Sequence, residues 1–152
     1  AVTLLGEDAL DYRSLVERIE TDADLTSSDH GALVKGLQRA TTTAAGSWRL
    51  VTSRAGTLEG RLASLLLGTG ADVCFVVRHR DGKTRVTGRA RATACREGLH
   101  LGRLFEALAE RHGGEGGGHD GAAGWTSSLD RVAAETAALA AVATTSRTEV
   151  DG

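Results

Sequence analysis

The chain has 152 residues and a mass of 15.8 kDa, the size of a single domain. Its apolar fraction is 41%, but 24 residues are Ala and five are aromatic, so the core must be built from Leu, Val and Ala. No run approaches the roughly 18 apolar residues of a membrane span. The first residues lack a signal-segment pattern, and two Cys outside any C-x-x-C pair argue against a disulfide scaffold or zinc ribbon. The net charge of -2 conceals a pattern: -6 over residues 1–34, +9 over 35–104 and -5 over 105–152. Arg outnumbers Lys by 16 to 2 in that chain. A basic middle rich in the better bidentate phosphate ligand points to a localised anion-binding face, or more blandly to a solvated Arg-rich surface.

With no starting Met and an opening Ala1-Val2-Thr3-Leu4-Leu5, the sequence reads as a piece of something longer. Tyr12, Leu15, Val16 and Ile19 recur at helical spacing and predict a helix over about 7–20. Thr21 to Asp24 is a polar break. Ser27 or Ser28 is expected to cap a second helix through about Ala40, with Leu33, Val34 and Leu37 on one face. Thr41 to Ser47 reads as a linker and Trp48 to Ser53 as a short strand. Leu58, Leu62, Leu65 and Leu66 mark an amphipathic helix stopped by Gly68 and Gly70.

Asp72–Arg80 and Lys83–Ala92 flank Asp81-Gly82, a two-residue hairpin turn that fixes the register. Arg80 faces Lys83, Arg78 faces Arg85, Val76 faces Thr87, Cys74 faces Arg89 and Asp72 faces Arg91, all on one side. The other side carries His79, Val77, Phe75 and Val73 opposite Thr84, Val86, Gly88 and Ala90 and is expected to be core. Like charges placed opposite each other destabilise a hairpin, so the basic side either splays into solvent or meets an anion. Leu101, Leu104, Phe105 and Leu108 define the next helix, stopped by Gly113. Trp125 to Ser127 reads as a short strand. Ser127 or Ser128 is expected to cap a last Ala-rich helix to about Ala143, before a polar tail. The expected fold is α/β of the α+β type: a mixed sheet containing an antiparallel hairpin, with helices packed on it.

Between the last two helices runs Gly113-Gly114-Glu115-Gly116-Gly117-Gly118-His119-Asp120-Gly121-Ala122-Ala123-Gly124, seven Gly in twelve residues. Such a run allows consecutive backbone N–H groups to turn toward one anion, and phosphate is the usual guest of that nest. A flexible loop with an incidental His is the competing reading. No Gly-Lys-Ser/Thr follows, so this is not a P-loop, and a helix rather than a strand precedes it, against a dinucleotide fingerprint.

Gly116-Gly117-Gly118-His119 followed by Ala122-Ala123-Gly124 resembles the GGGH…AAG signature of the DHH-associated domain. That is the C-terminal substrate-binding domain of DHH phosphoesterases, a family of RecJ-type exonucleases, oligoribonucleases and cyclic-dinucleotide phosphodiesterases. Val86-Thr87-Gly88-Arg89-Ala90 stands where that family carries Ser-x-Arg-Ser: Arg89 matches, Thr87 keeps one hydroxyl and Ala90 loses the other. The resemblance spans roughly residues 48–128. It implies that Gly116, Gly117 and Gly118 offer backbone donors, that His119 and Arg89 contact phosphate, and that the ligand is a phosphorylated nucleic-acid end, a short oligonucleotide or a nucleotide. Arg78 and Arg85 join this set on the hairpin register alone. The resemblance also implies a partner, the N-terminal catalytic domain of the same parent protein, whose Asp and His hold two Mn²⁺ or Mg²⁺ ions. Residues 1–45 would then be helical linker from that domain, 46–145 the substrate-binding domain and 146–152 a frayed tail.

No catalytic or metal constellation is visible in the chain itself, so this piece is expected to bind and not to hydrolyse. Asp29-His30 reads as part of a helix cap, Asp22 and Asp24 as solvated, and His30, His79, His100 and His112 as scattered. His79 is expected as a packed rim residue, Trp48 and Trp125 as core anchors, and both Cys as reduced thiols in a cytoplasmic protein. Three alternatives stay open: a tRNA-binding module similar to the C-terminal domain of alanyl-tRNA synthetases, an oligomerisation domain using the Ala-rich helix, and a complete small phosphatase.

Overall fold

The computed structural model describes Glu17 and residues 25–148. Apart from Glu17, which is helical, the helix expected over 7–20 and the break at Thr21–Asp24 lie outside the described residues. Helix α1 (Ser27–Gln38) begins at Thr26, whose side chain accepts from the Asp29 amide while the Asp29 carboxylate accepts from the Thr26 amide. This reciprocal capping box assigns Asp29 its role and moves the cap from the expected Ser27 or Ser28 to Thr26.

Strand β1 (Thr41–Ala45) replaces the expected linker. It pairs antiparallel with β2 (Trp48–Arg54) around Gly46, whose φ of +62° makes the turn. Helix α2 (Glu59–Leu67) crosses to β3 (Val73–Arg80), which lies parallel to β2. β3 turns through Asp81 and Gly82, with φ of +53° and +74°, into β4 (Lys83–Ala90). The observed register pairs Arg80 with Lys83, Arg78 with Arg85 and Cys74 with Arg89, as the turn dictates.

A short helix α3 (Ala92–Arg96), which periodicity could not reveal in five residues, precedes α4 (Leu101–His112). The glycine run then folds as strand β5 (Glu115–Gly118) and returns as β6 (Ala122–Ser127). α5 (Arg131–Ala143) closes the order, capped by Asp130 in place of the expected Ser127 or Ser128. The six-stranded mixed sheet runs β1-β2-β3-β4-β6-β5.

Both faces of this sheet carry core, a correction to the reading of one apolar and one basic side. On the first face, Trp48, Leu50, Phe75, Val86 and Trp125 pack against Leu101, Phe105 and Leu108 of α4 and Ala134, Ala138 and Val142 of α5. On the second, Val51, Cys74 and Val76 pack against Leu33 and Leu37 of α1 and Leu62, Ala63 and Leu66 of α2. Each fully buried Leu contributes about 2 kcal/mol. Gly36 permits the α1–α2 contact, since a Cβ there would sit 2.3 Å from Leu62 Cδ2.

The start of the tail is docked and not frayed. Arg147 lies over the Trp48 ring at 4.7 Å and reaches Glu97 at 2.6 Å, Asp72 at 3.2 Å and the Ser47 carbonyl at 2.8 Å. Burial alone would lower its pKa, but the Glu97 and Asp72 carboxylates outweigh that and raise it. Residues 149–152 lie outside the described residues.

Candidate functional site

The alternation that sends Val86 and Ala90 into the first core sends Arg85, Thr87 and Arg89 to the second face. The core under α1 and α2 includes no residue of β6 or β5. Along β6, half-buried Ala122, Gly124 and Thr126 on this face alternate with buried Ala123, Trp125 and Ser127 on the other. The sheet is therefore uncovered along β6 and β5, while α2 still packs over part of β4.

Three rows of residues cross this open platform. His119, Ala122 and Arg89 align in the first, and Gly117, Gly124 and Thr87 in the second. Glu115, Thr126, Arg85 and Arg78 form the third. His119 and Arg89 stand two interstrand spacings apart, about 10 Å between Cα atoms, which leaves room for one phosphate between their side chains. The middle row has a flat glycine floor beside Thr87. That Thr is 6% exposed, and its Oγ1 is buried without a hydrogen-bond partner. Such a hydroxyl is costly to leave unpaired.

The guanidinium groups converge on the same place. Arg89 Nη1 donates to the Gly88 carbonyl at 2.8 Å, and its Nη2 lies where a Cβ on Gly60 would approach to 2.8 Å. Arg78 Nη1 lies 3.1 Å from Glu59 Oε1, at the start of α2. Arg85 is exposed, with Nη2 3.4 Å from where a Gly124 Cβ would stand. Below them Arg78, Arg80, Asp81, Lys83, Arg85 and Thr126 line a cavity of about 340 Å³.

The turn bearing His119 is held by the start of α4. The Leu101 amide donates to the Asp120 carbonyl and the Gly102 amide to the His119 carbonyl, each at 2.9 Å. The Arg103 amide donates to His100 Nδ1 at 3.1 Å. His100 is thus the cap of α4, with its Nδ1 lone pair engaged. The His119 side chain is exposed above this fixed backbone.

The glycine run does not form the expected nest of consecutive N–H groups. His119 and Ala122 pair through N–H···O at 2.8 Å, so Gly117 and Glu115 also bond to β6, while the N–H groups of Gly116 and Gly118 point away from it along the sheet edge. Gly116 has a packing reason: a Cβ would stand 2.3 Å from the Phe105 carbonyl of α4. Gly102 answers from the helix, where a Cβ would meet the Gly118 carbonyl at 2.3 Å. Of the residues read from sequence, His119, Gly117, Thr87, Arg89, Arg85 and Arg78 come together on one face, while Gly116 and Gly118 lie against α4. Glu59 and Gly60 were missed, and nothing in the sequence singles them out; Gly124 entered only as part of the family signature, not as a site residue.

The remaining candidates disperse. His79 is exposed, not a packed rim residue, and its Nδ1 lies 2.8 Å from Thr84 Oγ1. His112 stacks near Trp125, which with Trp48 is fully buried as expected. Burial pushes the Cys74 thiol far above its ordinary range, and burial and then Asp120 raise Cys95. Among the described residues no group of three His, Cys, Asp or Glu side chains could hold a metal ion. No described helix is long and apolar enough to cross a membrane.

The family model for the DHHA1 domain matches residues 54–145. An uncharacterized protein of Methanocaldococcus jannaschii is 35% identical over 85 residues, covering 55% of this chain and 26% of its own length. The C-Ala domain of Aquifex aeolicus alanyl-tRNA synthetase superposes with a TM-score of 0.53 at 15% identity, over 66% of this chain and 98% of that one. A pGpG-specific phosphodiesterase of Vibrio cholerae superposes at 0.50 and 13% identity, over 86% of this chain and 41% of that one. The chain thus spans about a quarter of the curated relative and less than half of the phosphodiesterase.

Proposed function

The chain belongs to the DHHA1 domain family, the DHH-associated C-terminal domain, and from that premise we propose that its open platform binds the phosphorylated end of an oligonucleotide or nucleotide. The observation that carries this reading is the single row of His119, Ala122 and Arg89 beside the buried, unpartnered Thr87 hydroxyl. A terminal phosphate between the two side chains takes a charge-assisted hydrogen bond from Arg89 and a hydrogen bond from the His119 imidazole N–H. Thr87 donates its hydroxyl proton to a ligand oxygen. The glycine floor lets the sugar lie close to the sheet, Arg78 turns toward the same terminal phosphate as Arg89, and Arg85 meets the next phosphate along the chain.

The domain's role in this reading is grip, not cleavage. Hydrolysis falls to a metal-binding domain of the parent protein, and that division is supported by how small a share of its relatives the chain spans. A RecJ-like exonuclease acting in the cytoplasm is one such parent. The named phosphodiesterase with this fold acts on a dinucleotide, which favours a short ligand.

The test is fluorescence anisotropy with a 3′-labelled tetranucleotide, with and without a 5′-phosphate, in wild type, His119→Ala and Arg89→Ala. Loss of one charge-assisted bond, about 1.5–3 kcal/mol, weakens the phosphorylated probe roughly 10- to 100-fold and leaves the other probe nearly unchanged. Equal binding of the two probes by wild type refutes the terminal-phosphate reading. Strong preference for folded tRNA over both probes favours the alanyl-tRNA-synthetase-like alternative.

A further inference from the structure

Apart from Asp81 in the hairpin turn, an acid at the start of α2 lies among the guanidinium groups of the platform. Glu59 opens α2, and its Oε1 lies 3.1 Å from Arg78 Nη1. That oxygen is shielded from solvent and lacks an aligned hydrogen bond. Its neighbour Gly60 touches Arg89. The first two residues of α2 thus lie against two guanidinium groups, Glu59 against Arg78 and Gly60 against Arg89. No side chain caps α2: Leu58 occupies the cap position with φ of +58°, in the left-handed region that non-glycine residues rarely adopt. The positive end of α2 and the guanidinium of Arg78 thus share one carboxylate. The other acid on this face, Glu115, is exposed on the far edge strand.

We propose that Glu59 is the resident anion of the platform and sets its charge selectivity. This rests on the phosphate-binding reading above and says which phosphates win. Glu59 offers Arg78 one negative charge through one oxygen. A phosphodiester also carries one negative charge, so exchanging it for Glu59 gains little. A terminal phosphomonoester carries about 1.5 to 2 negative charges on three oxygens and displaces the carboxylate with a net gain. Arg78 is 31% exposed at its side chain, so it can turn from one partner to the other without unpacking the core. Preference for chain ends over chain interiors then originates in a competing acid as much as in the cations.

Glu59→Gln keeps the shape and removes the charge. With the same two probes at fixed ionic strength, the variant is expected to bind the unphosphorylated tetranucleotide about tenfold more tightly and the phosphorylated one about threefold, so the preference narrows. Both gains vanish in the Arg78→Ala background, and thermal unfolding of each variant verifies the fold. If wild type binds the phosphorylated probe but Glu59→Gln binds neither more tightly, Glu59 is a mere structural partner of Arg78 and this proposal is overturned alone. A uniform gain on both probes removes the selectivity claim. If wild type binds neither probe, the phosphate reading itself falls and takes this one with it.

Discussion

Strand β4 belongs to two environments at once. Val86, Gly88 and Ala90 face a region filled to contact, where Phe75 and Phe105 rings lie 5.5 Å apart and a Cβ on Gly88 would come within 3.0 Å of Phe105. Arg85, Thr87 and Arg89, on the same backbone, face a region with a glycine floor and a hydroxyl without a partner. Glycine serves opposite ends on the two sides. Toward α4 it allows helix and strand to touch; toward the platform it leaves a space empty. The comparison teaches that the glycine signature here encodes one close contact and one vacancy, and alternation along β5 assigns each residue to one of them.

The largest test of that contrast is Gly116→Ala against Gly117→Ala. The first drives a methyl into the Phe105 carbonyl and is expected to cost about 3 kcal/mol in urea unfolding. At Gly117 a Cβ meets nothing within 4 Å, so only the strain of its φ of +153° remains, about 1 kcal/mol. Equal costs would break the distinction.

Cys74 sharpens the comparison from within the covered part of the second face. Burial raises its thiol pKa, with Arg91 a weaker opposing influence. Its stabilising contribution is thus complete below the ordinary thiol value of about 8.5 and is lost as pH rises above it toward the folded value, at about 1.4 kcal/mol per pH unit. Near pH 10 the loss is about 2 kcal/mol, and Cys74→Ala removes that portion of the alkaline slope in pH-dependent unfolding. Native alkylation at about pH 8 is expected to leave Cys74 unmodified.

The smallest effect is the most diagnostic. Thr87→Val removes a buried hydroxyl that has no partner in the free protein. It is expected to stabilise the fold by about 1 kcal/mol while weakening the phosphorylated probe several-fold. A residue that makes the protein more stable and less able to bind when replaced belongs to a site, whereas a purely structural Thr would lose on both counts.

Much of this was legible in the sequence because local chemistry decided it. Asp81-Gly82 admits one tight hairpin, so the register of Arg78, Arg85, Arg89 and Thr87 followed from counting. The helix from Leu101 carried its periodicity openly. What was not legible depended on partners distant in sequence. Thr41–Ala45 has no apolar alternation and becomes a strand only because β2 lies beside it. Glu115–Gly118 has almost no side chains to pattern and is drawn straight by β6 and α4. Val76 and Cys74 were counted with the basic side because periodicity separates faces but cannot say that α1 and α2 cover half of one. The arginines and Thr87 still share that face because the hairpin turn alone fixes their register.

The docking of Arg147 has a consequence for the order of assembly during synthesis. Asp72 and Glu97 both direct carboxylate oxygens at its guanidinium. Domains emerge from the ribosome amino end first, so strands β1 to β4 can pair before Arg147 has been made, with Asp72 already accepting from the Arg49 amide at 2.8 Å. The guanidinium settles on Trp48, laid down almost a hundred residues earlier, only afterwards. This contact thus closes later than the strands it fastens.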